Sequence, residues 1–350
     1  MKNIAEFSQQ YEIDYSQPLP AKGLGSVYRA KDQNEKIWAL KVLELHPNFD
    51  NGLFGRLYEQ AKKLEHPNLL PYEAVHVFRE EDVVQYYILM AYCSGGDWAS
   101  RSQNLSEEEK RQLLQELLKL LIYLEKEGHS LQNLKLEHLL FKEKETLNWQ
   151  FINYGAKESL PNYFHLDYAY LAPEQLQGQG MGAAVDIWAF GVLLTAFWTG
   201  QLPFGQKSPQ QTNAKIKNRI LKGELPRELL RRLPLELRYL VEGCLQKEPT
   251  QRWASFEALA EAWEAGPPED FVQTWRPKDQ QEPSVLDTLA YMGQAAEEQV
   301  NEKVEEEQSE KTPFLQRKFK RKKSKPITIW EILLWLGGAL LLGYCISSWT

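Results

Sequence analysis

"GHSLQNLKLEHLLF", residues 128 to 141, carries the spacing Leu-Lys-x-Glu-x-Leu-Leu with an amide, Asn133, just ahead of it. The stretch before it is a helix marked at both ends. Ser106 and Glu109 stand at capping-box spacing, acids fill the first turn, and Gly128 closes it. Downstream, "AAVDIWAFGVLLTAFWTG" (183–200) is apolar almost all round, which predicts a helix in the middle of a helical core, and shorter helices follow to about Ala265. Upstream of Gly95-Gly96 the pattern changes to strands. "GSVYRAKD" (25–32) and "KIWALKVLEL" (36–45) alternate apolar and polar positions around the polar break "QNEK", as a hairpin would. "FGRLYEQAKKLEHPN" (54–68) has helical spacing and stops at His66-Pro67, and "AVHVFREEDVVQYYILMAY" (74–92) reads as a second strand pair turning at Glu80 to Asp82. Strands first and helices second give an α+β fold, with a small antiparallel sheet lobe over about 12–92 and a larger helical lobe over about 97–265.

The bulk numbers fit that division. A chain of 350 residues, 43% hydrophobic and 12% aromatic, can bury one large core or two modest ones. The formal charge of −7 hides an asymmetry, because "RKFKRKKSK" (317–325) holds seven positive charges and no negative one. With that run and the one acid beyond it, Glu331, set aside, −13 remains for residues 1–316, so no basic surface offers itself to nucleic acid. The three cysteines, Cys93, Cys244 and Cys345, show neither metal-ligand nor disulfide spacing and suit a reducing compartment. "MKNIAEFSQQYEIDY" lacks the apolar core of a secretory signal. Residues 266–316, rich in Pro, Gln, Glu and Lys, read as an acidic polar linker. Residues 327–349, "ITIWEILLWLGGALLLGYCISSW", have the length and apolarity of one transmembrane helix, with basic residues only on its N-terminal side and Trp330 and Trp349 at interface positions. The expected arrangement is a single-pass protein, anchored at its C-terminus, with the body (1–265) in the cytoplasm.

The order of these elements and the residues they carry resemble the eukaryotic-type (Hanks-type) Ser/Thr protein kinase family across roughly residues 12–265. Against the glycine-rich pattern G-x-G-x-x-G-x-V, aligned on Val27, the chain gives Pro20, Lys22 and Gly25, with Gly23 as a partial substitute. "WALK" (38–41) resembles V-A-I-K, which makes Ala39 a roof over adenine and Lys41 a phosphate ligand. The family's glutamate partner for that lysine falls by the usual interval on Leu57, whereas Glu59 lies two residues later, so this ion pair is left open. "YILMAYCSGGDW" (87–98) is similar to the interlobe hinge, with Met90 at the back pocket and the backbone from Ala91 to Cys93 facing adenine.

In the same register, H-R-D-L-K-P-E-N becomes Leu131 to His138. Asn133 stands where a carboxylate would take a proton, which a neutral amide cannot do. Lys135 retains the phosphate-side lysine, and His138 replaces a metal-holding asparagine. Where the family has D-F-G, the chain has Asn153, Tyr154 and Gly155, so the charge that holds Mg2+ is gone. By contrast "YLAPEQL" keeps Ala172, Pro173 and Glu174, "PTQRW" keeps the expected partner Arg252, and "DIWAFG" keeps Asp186, which in the family accepts hydrogen bonds from the catalytic loop. The resemblance therefore implies a pseudokinase that binds ATP with little hold on Mg2+ and works as a signalling scaffold or nucleotide-gated binding module. An active Ser/Thr kinase with atypical metal use, and a scaffold that binds no nucleotide, are the alternatives. Cytoplasmic proteins, anionic lipid under the polybasic run, and a second copy meeting at Ala339, Gly343 and Gly337-Gly338 are the expected partners.

Overall fold

Alternating polarity makes the first part of the chain a sheet. The computed structural model describes residues 4–20, 25–45, 59, 61–80, 82–131, 134–152, 154, 168–179 and 182–279; the chain divides into two units, Met1–Gln280 and Gln281–Thr350, and the described residues all lie in the first. Helix α1 (Ile4–Gln10) runs directly into β1 (Tyr11–Leu19), followed by β2 (Ser26–Asp32), β3 (Ile37–Leu45), β4 (Tyr72–Arg79) and β5 (Val84–Ala91). They form one antiparallel sheet in the order β1-β2-β3-β5-β4. Asp32 builds the β2–β3 turn by accepting from the backbone of Asn34 at 2.8 Å and Lys36 at 3.0 Å and from the Trp38 indole at 2.9 Å. The β4–β5 turn closes where the sequence predicts it, with Glu80 N donating to Val83 O at 2.9 Å.

Side chains along β3 and β5 separate the two faces, as the two-residue period requires. Ala39, Leu43, Tyr86, Ile88 and Met90 join the main core, while Trp38, Leu40, Val42, Tyr87 and Leu89 form a second cluster on the other face. That outer cluster is plugged by α1. Phe7, 0% exposed, stacks on Tyr11 at 4.8 Å and meets Tyr87 and Phe78 edge-on at 5.1 and 6.3 Å.

The helical lobe opens with α2 (Trp98–Arg101) and the 20-residue α3 (Glu107–Lys126). The capping box is formed: Glu109 N donates to Ser106 Oγ at 3.2 Å and Ser106 N to the Glu109 carboxylate at 2.8 Å. A small hairpin, β6 (Leu139–Phe141) and β7 (Trp149–Phe151), precedes α4 (Pro173–Leu176) and α5 (Ala183–Thr199). From Val185 to Thr199 every residue of α5 is buried, and Thr195 and Thr199 satisfy their hydroxyls on Gly191 O and Thr195 O at 2.9 and 2.7 Å. The remaining helices are α6 (Asn213–Lys222), α7 (Arg227–Leu230), α8 (Leu235–Cys244), α9 (Phe256–Ala265) and α10 (Glu269–Asp279). Gly191 lets α5 meet α8, because a Cβ there would lie 2.5 Å from that of Cys244.

The linker expected from 266 onward is corrected at its beginning. Residues 269–279 form α10, which docks on the helical lobe through Trp275, 2% exposed and set against the guanidinium of Arg238 at 4.3 Å, and through Phe271 against Tyr239 at 5.0 Å. Aromatic burial, not composition, decides the structure of this stretch. Residues 54–58 and 60 of the helix predicted over 54–68, the rest of the linker, the polybasic run and residues 327–349 lie outside the described residues. Among the described residues no helix is long and apolar enough to cross a membrane.

Candidate functional site

Strand register assembles the ceiling of the cleft. Val27 pairs with Lys41 across β2 and β3, and Ala39 with Met90 across β3 and β5, so the residues read as an adenine roof and back pocket share one patch of sheet. Gly25 enters this patch with φ of 80°, where a Cβ would sit 2.2 Å from Val42 O, so only glycine fits. Gly23 lies outside the described residues. Ala91 ends β5 and Cys93 follows it, its thiol pushed up to about 11 by burial against a smaller opposing pull from Lys142. Beyond it the hinge is tied to the helical lobe: Ser94 N donates to Lys142 O at 3.0 Å, Gly95 N to Phe141 O at 3.1 Å, and Phe141 N to Gly96 O at 2.8 Å.

The floor comes from the quoted stretch. Leu131, Leu134, Leu136 and Leu139 are buried, which fixes the loop on the lobe by alternate apolar anchors. Lys135 is only 5% exposed and Lys41 9%. Burial first, and the ammonium of Lys135 second, push the Lys41 pKa down to about 8. The structure thus brings the two lysines predicted for phosphate contact into one electrostatic neighbourhood. His138 is buried too, with its ring edge-on to Phe151 at 6.3 Å and its carbonyl accepting from Ile152 N at 2.9 Å, so it stands beside the chain that leads to Asn153. Asn133 and Asn153 themselves lie outside the described residues.

One feature of the site escaped the sequence. Tyr154, at the aromatic position of the D-F-G pattern, stacks on Tyr72 at 4.8 Å and 22°. Its hydroxyl donates to Leu70 O at 2.5 Å, and the Tyr72 hydroxyl donates back to Tyr154 O at 2.7 Å. Two further backbone bonds, Leu70 N to Phe151 O at 3.0 Å and Phe151 N to Asn68 O at 2.7 Å, continue the seam between the lobes. A phenol at both 72 and 154, where a hydrocarbon ring would suffice for packing, was the available signal.

The supporting joints are complete. Asp186 accepts from Leu131 N at 2.7 Å and Ser130 Oγ at 2.8 Å, holding the loop at its start. Arg252 meets both oxygens of Glu174, at 2.6 and 2.7 Å, and donates as well to the carbonyls of Ala184 and Gln246 at 2.7 and 2.8 Å, under the face of Trp188. Glu59, whose pairing the sequence leaves open, is 61% exposed and bridges Lys62 at 3.8 Å, whereas Lys41 is buried.

Kinase-type chemistry also calls for Mg2+. The donor set does not fit it: two of the three expected ligand or base positions are amides and the third is a buried imidazole, where Mg2+ prefers charged oxygen. Among the described residues, no group of three His, Cys, Asp or Glu side chains is placed to hold a metal.

Comparison with known proteins agrees with this geometry. Residues 22–264 match the protein kinase domain family. Serine/threonine-protein kinase PLK4 of Danio rerio is 25% identical over 256 residues, which is 69% of this chain and 26% of that protein. Human ribosomal protein S6 kinase alpha-4 is 28% identical over 276 residues, 72% of this chain and 34% of the relative. Maternal embryonic leucine zipper kinase of Danio rerio reaches 34% over 216 residues, 58% and 31% of the two chains. The chain thus spans about a quarter to a third of the length of these relatives. Among solved structures, Rad53 1-466 in complex with AMP-PNP superposes with a TM-score of 0.59 at 23% identity, covering 73% of this chain and 66% of that one, which supports the two-lobed fold. With a family match over more than half its length, the chain belongs to the protein kinase domain family, in its Hanks-type form.

Proposed function

We propose that the protein is a membrane-anchored pseudokinase, a nucleotide-binding module that engages cytoplasmic partners instead of transferring phosphate. The observation that carries this reading is the contrast between complete supporting joints, Glu174–Arg252 and Asp186–Leu131, and amides at the two positions, 133 and 153, where carboxylates would move a proton and hold a metal. A missing general base alone lowers a rate by about 10² to 10⁴. ATP would rest under Val27 and Ala39, with its base toward the backbone of Ala91 to Cys93 and its phosphates toward Lys41 and Lys135. The anchor is residues 327–349, and the run 317–325 adds attraction to anionic lipid of about 1 kcal/mol per basic residue. Helix pairing through Ala339 and Gly343 would bring two copies together.

A second reading, an active Ser/Thr kinase with atypical metal use, draws on the two buried lysines and on the Ser/Thr kinases among the relatives. Transfer of radiolabelled phosphate from ATP to a generic protein substrate separates the two. The expected result is no transfer above that of Lys41→Ala; transfer that this substitution abolishes overturns the pseudokinase reading. The anchor has its own check, since carbonate washing should leave the full chain in the membrane pellet, and release into the supernatant would reject a spanning helix.

A further inference from the structure

We propose that the helical lobe holds a second ligand site, a cavity at Trp188 that takes a small uncharged molecule with a flat apolar body and one acceptor oxygen. The inference is independent of the nucleotide-binding reading, since no residue lining this cavity belongs to the cleft. Its volume is about 500 Å³, within the range of about 300 to 1,000 Å³ usual for small-molecule sites.

The apolar run of α5 sets the floor. Trp188 lies in that run and is 1% exposed. Phe204 stacks on its ring at 5.4 Å and 6°, and the guanidinium of Arg252, fixed by Glu174, stands 5.1 Å from the ring centre. With those two groups against its faces, the indole has its edge left for the cavity. Ile220 and Leu245, 0% and 2% exposed, complete a floor that is part of the main core.

Buried indole N–H groups ordinarily find an acceptor. Trp38, Trp149 and Trp253 donate theirs to Asp32, Glu116 and Leu240 O at 2.9, 2.9 and 3.0 Å. Among the described residues, the N–H of Trp188 has none. A buried donor without an acceptor destabilises the folded chain, and a ligand oxygen at the indole edge removes that cost. The rim decides the charge. Arg227 and Lys247 are matched by Glu224, Glu242 and Glu248, so an anion finds no positive surplus. Burial raises the pKa of Glu242, which weakens the hold on a cation.

Fluorine NMR of the full chain in detergent tests the proposal with para-fluoroacetophenone, with para-fluoroethylbenzene, which lacks the oxygen, and with para-fluorobenzoate, which is charged. Leu225 lines the cavity, and Leu225→Trp fills it. Expected is broadening of the ketone resonance by the unaltered chain that Leu225→Trp abolishes in the same micelles. The hydrocarbon and the benzoate should each bind at least about fivefold more weakly than the ketone, and Trp188→Phe, which keeps a ring without a donor, should weaken the ketone by a similar factor. If Trp188→Phe fails to fold, the probe series on the unaltered chain and on Leu225→Trp still decides. Ketone binding that survives Leu225→Trp, or that the hydrocarbon or the benzoate equals, overturns the site, and so does the absence of ketone binding.

Discussion

At the base of the helical lobe a buried guanidinium meets a carboxylate through two short hydrogen bonds and finds three further carbonyls for its remaining donors. In the cleft, two buried ammonium groups lie in each other's field. Both arrangements take charge out of water; the first is met by a bidentate carboxylate and backbone carbonyls, while in the second burial and the neighbouring ammonium disfavour the charged form of Lys41. The base is therefore arranged for shape. On the pseudokinase reading proposed above, the cleft is arranged for a ligand that arrives from outside, and the difference between the two regions is what would separate a kinase fold from kinase chemistry in this chain.

The strongest way to break that contrast is to remove one partner at the base. Glu174→Ala leaves Arg252 buried without its counter-ion and should lower unfolding free energy by about 3 to 5 kcal/mol, read from urea denaturation. Lys41→Met, which removes a buried charge at similar length, should cost much less stability than Glu174→Ala, because burial and Lys135 already disfavour the charge, while nucleotide binding is lost. Destabilisation by Lys41→Met comparable to that of Glu174→Ala would show that the cleft lysine is a structural element and would erase the distinction.

The pH response sharpens the same point because its two slopes have opposite signs. Lys41 ordinarily titrates at 10.5 and in the folded chain at about 8. Between those values the unfolded chain holds a proton that the folded chain does not, so this group's contribution to stability rises with pH across that window. Anion binding runs the other way. As pH passes 8 the ammonium is lost, and nucleotide affinity should fall by up to about tenfold per unit. Titrations and denaturation from pH 7 to 9.5 would show the two curves crossing, and Lys41→Arg, whose guanidinium stays charged, should flatten the affinity curve. An affinity that is flat in the unaltered chain would remove Lys41 from the phosphate contacts.

How much of this was legible in advance depended on where the partners lie in the chain. The Ser106 cap is a four-residue pattern, and the sequence predicts it correctly from local spacing alone. Glu174, Asp186 and Arg252 are far from their partners, and only the resemblance to a known family paired them before the geometry did. What stayed hidden were contacts that neither route covers. The Tyr72–Tyr154 clamp joins residues 82 apart through backbone carbonyls, so the sequence shows the two phenols but not what they bond. Phe7 and Trp275 are single aromatics in polar surroundings, and their helices are held by what they touch, an aromatic cluster on the sheet and the Arg238 guanidinium, more than by their own periodicity. Composition alone made residues 266–279 look like tether for the same reason.

The smallest change separates stability from the ligand altogether. Ser106→Ala removes one half of the capping box on α3, far in sequence from either charge cluster, and should lower stability by about 1 kcal/mol. The Ser106 backbone amide and hydroxyl also hold the Glu109 carboxyl below its ordinary range. A depressed folded pKa contributes stability that is present above the unfolded value and lost as pH falls through the folded one, so the difference between the unaltered chain and Ser106→Ala should shrink in acid. Nucleotide affinity should not move at any pH, because α3 stabilises the lobe as a whole and brings no charge into the cleft. A Ser106→Ala chain that lost affinity in step with stability would mean that cleft and scaffold are one cooperative unit, and that the contrast between them is one of composition alone.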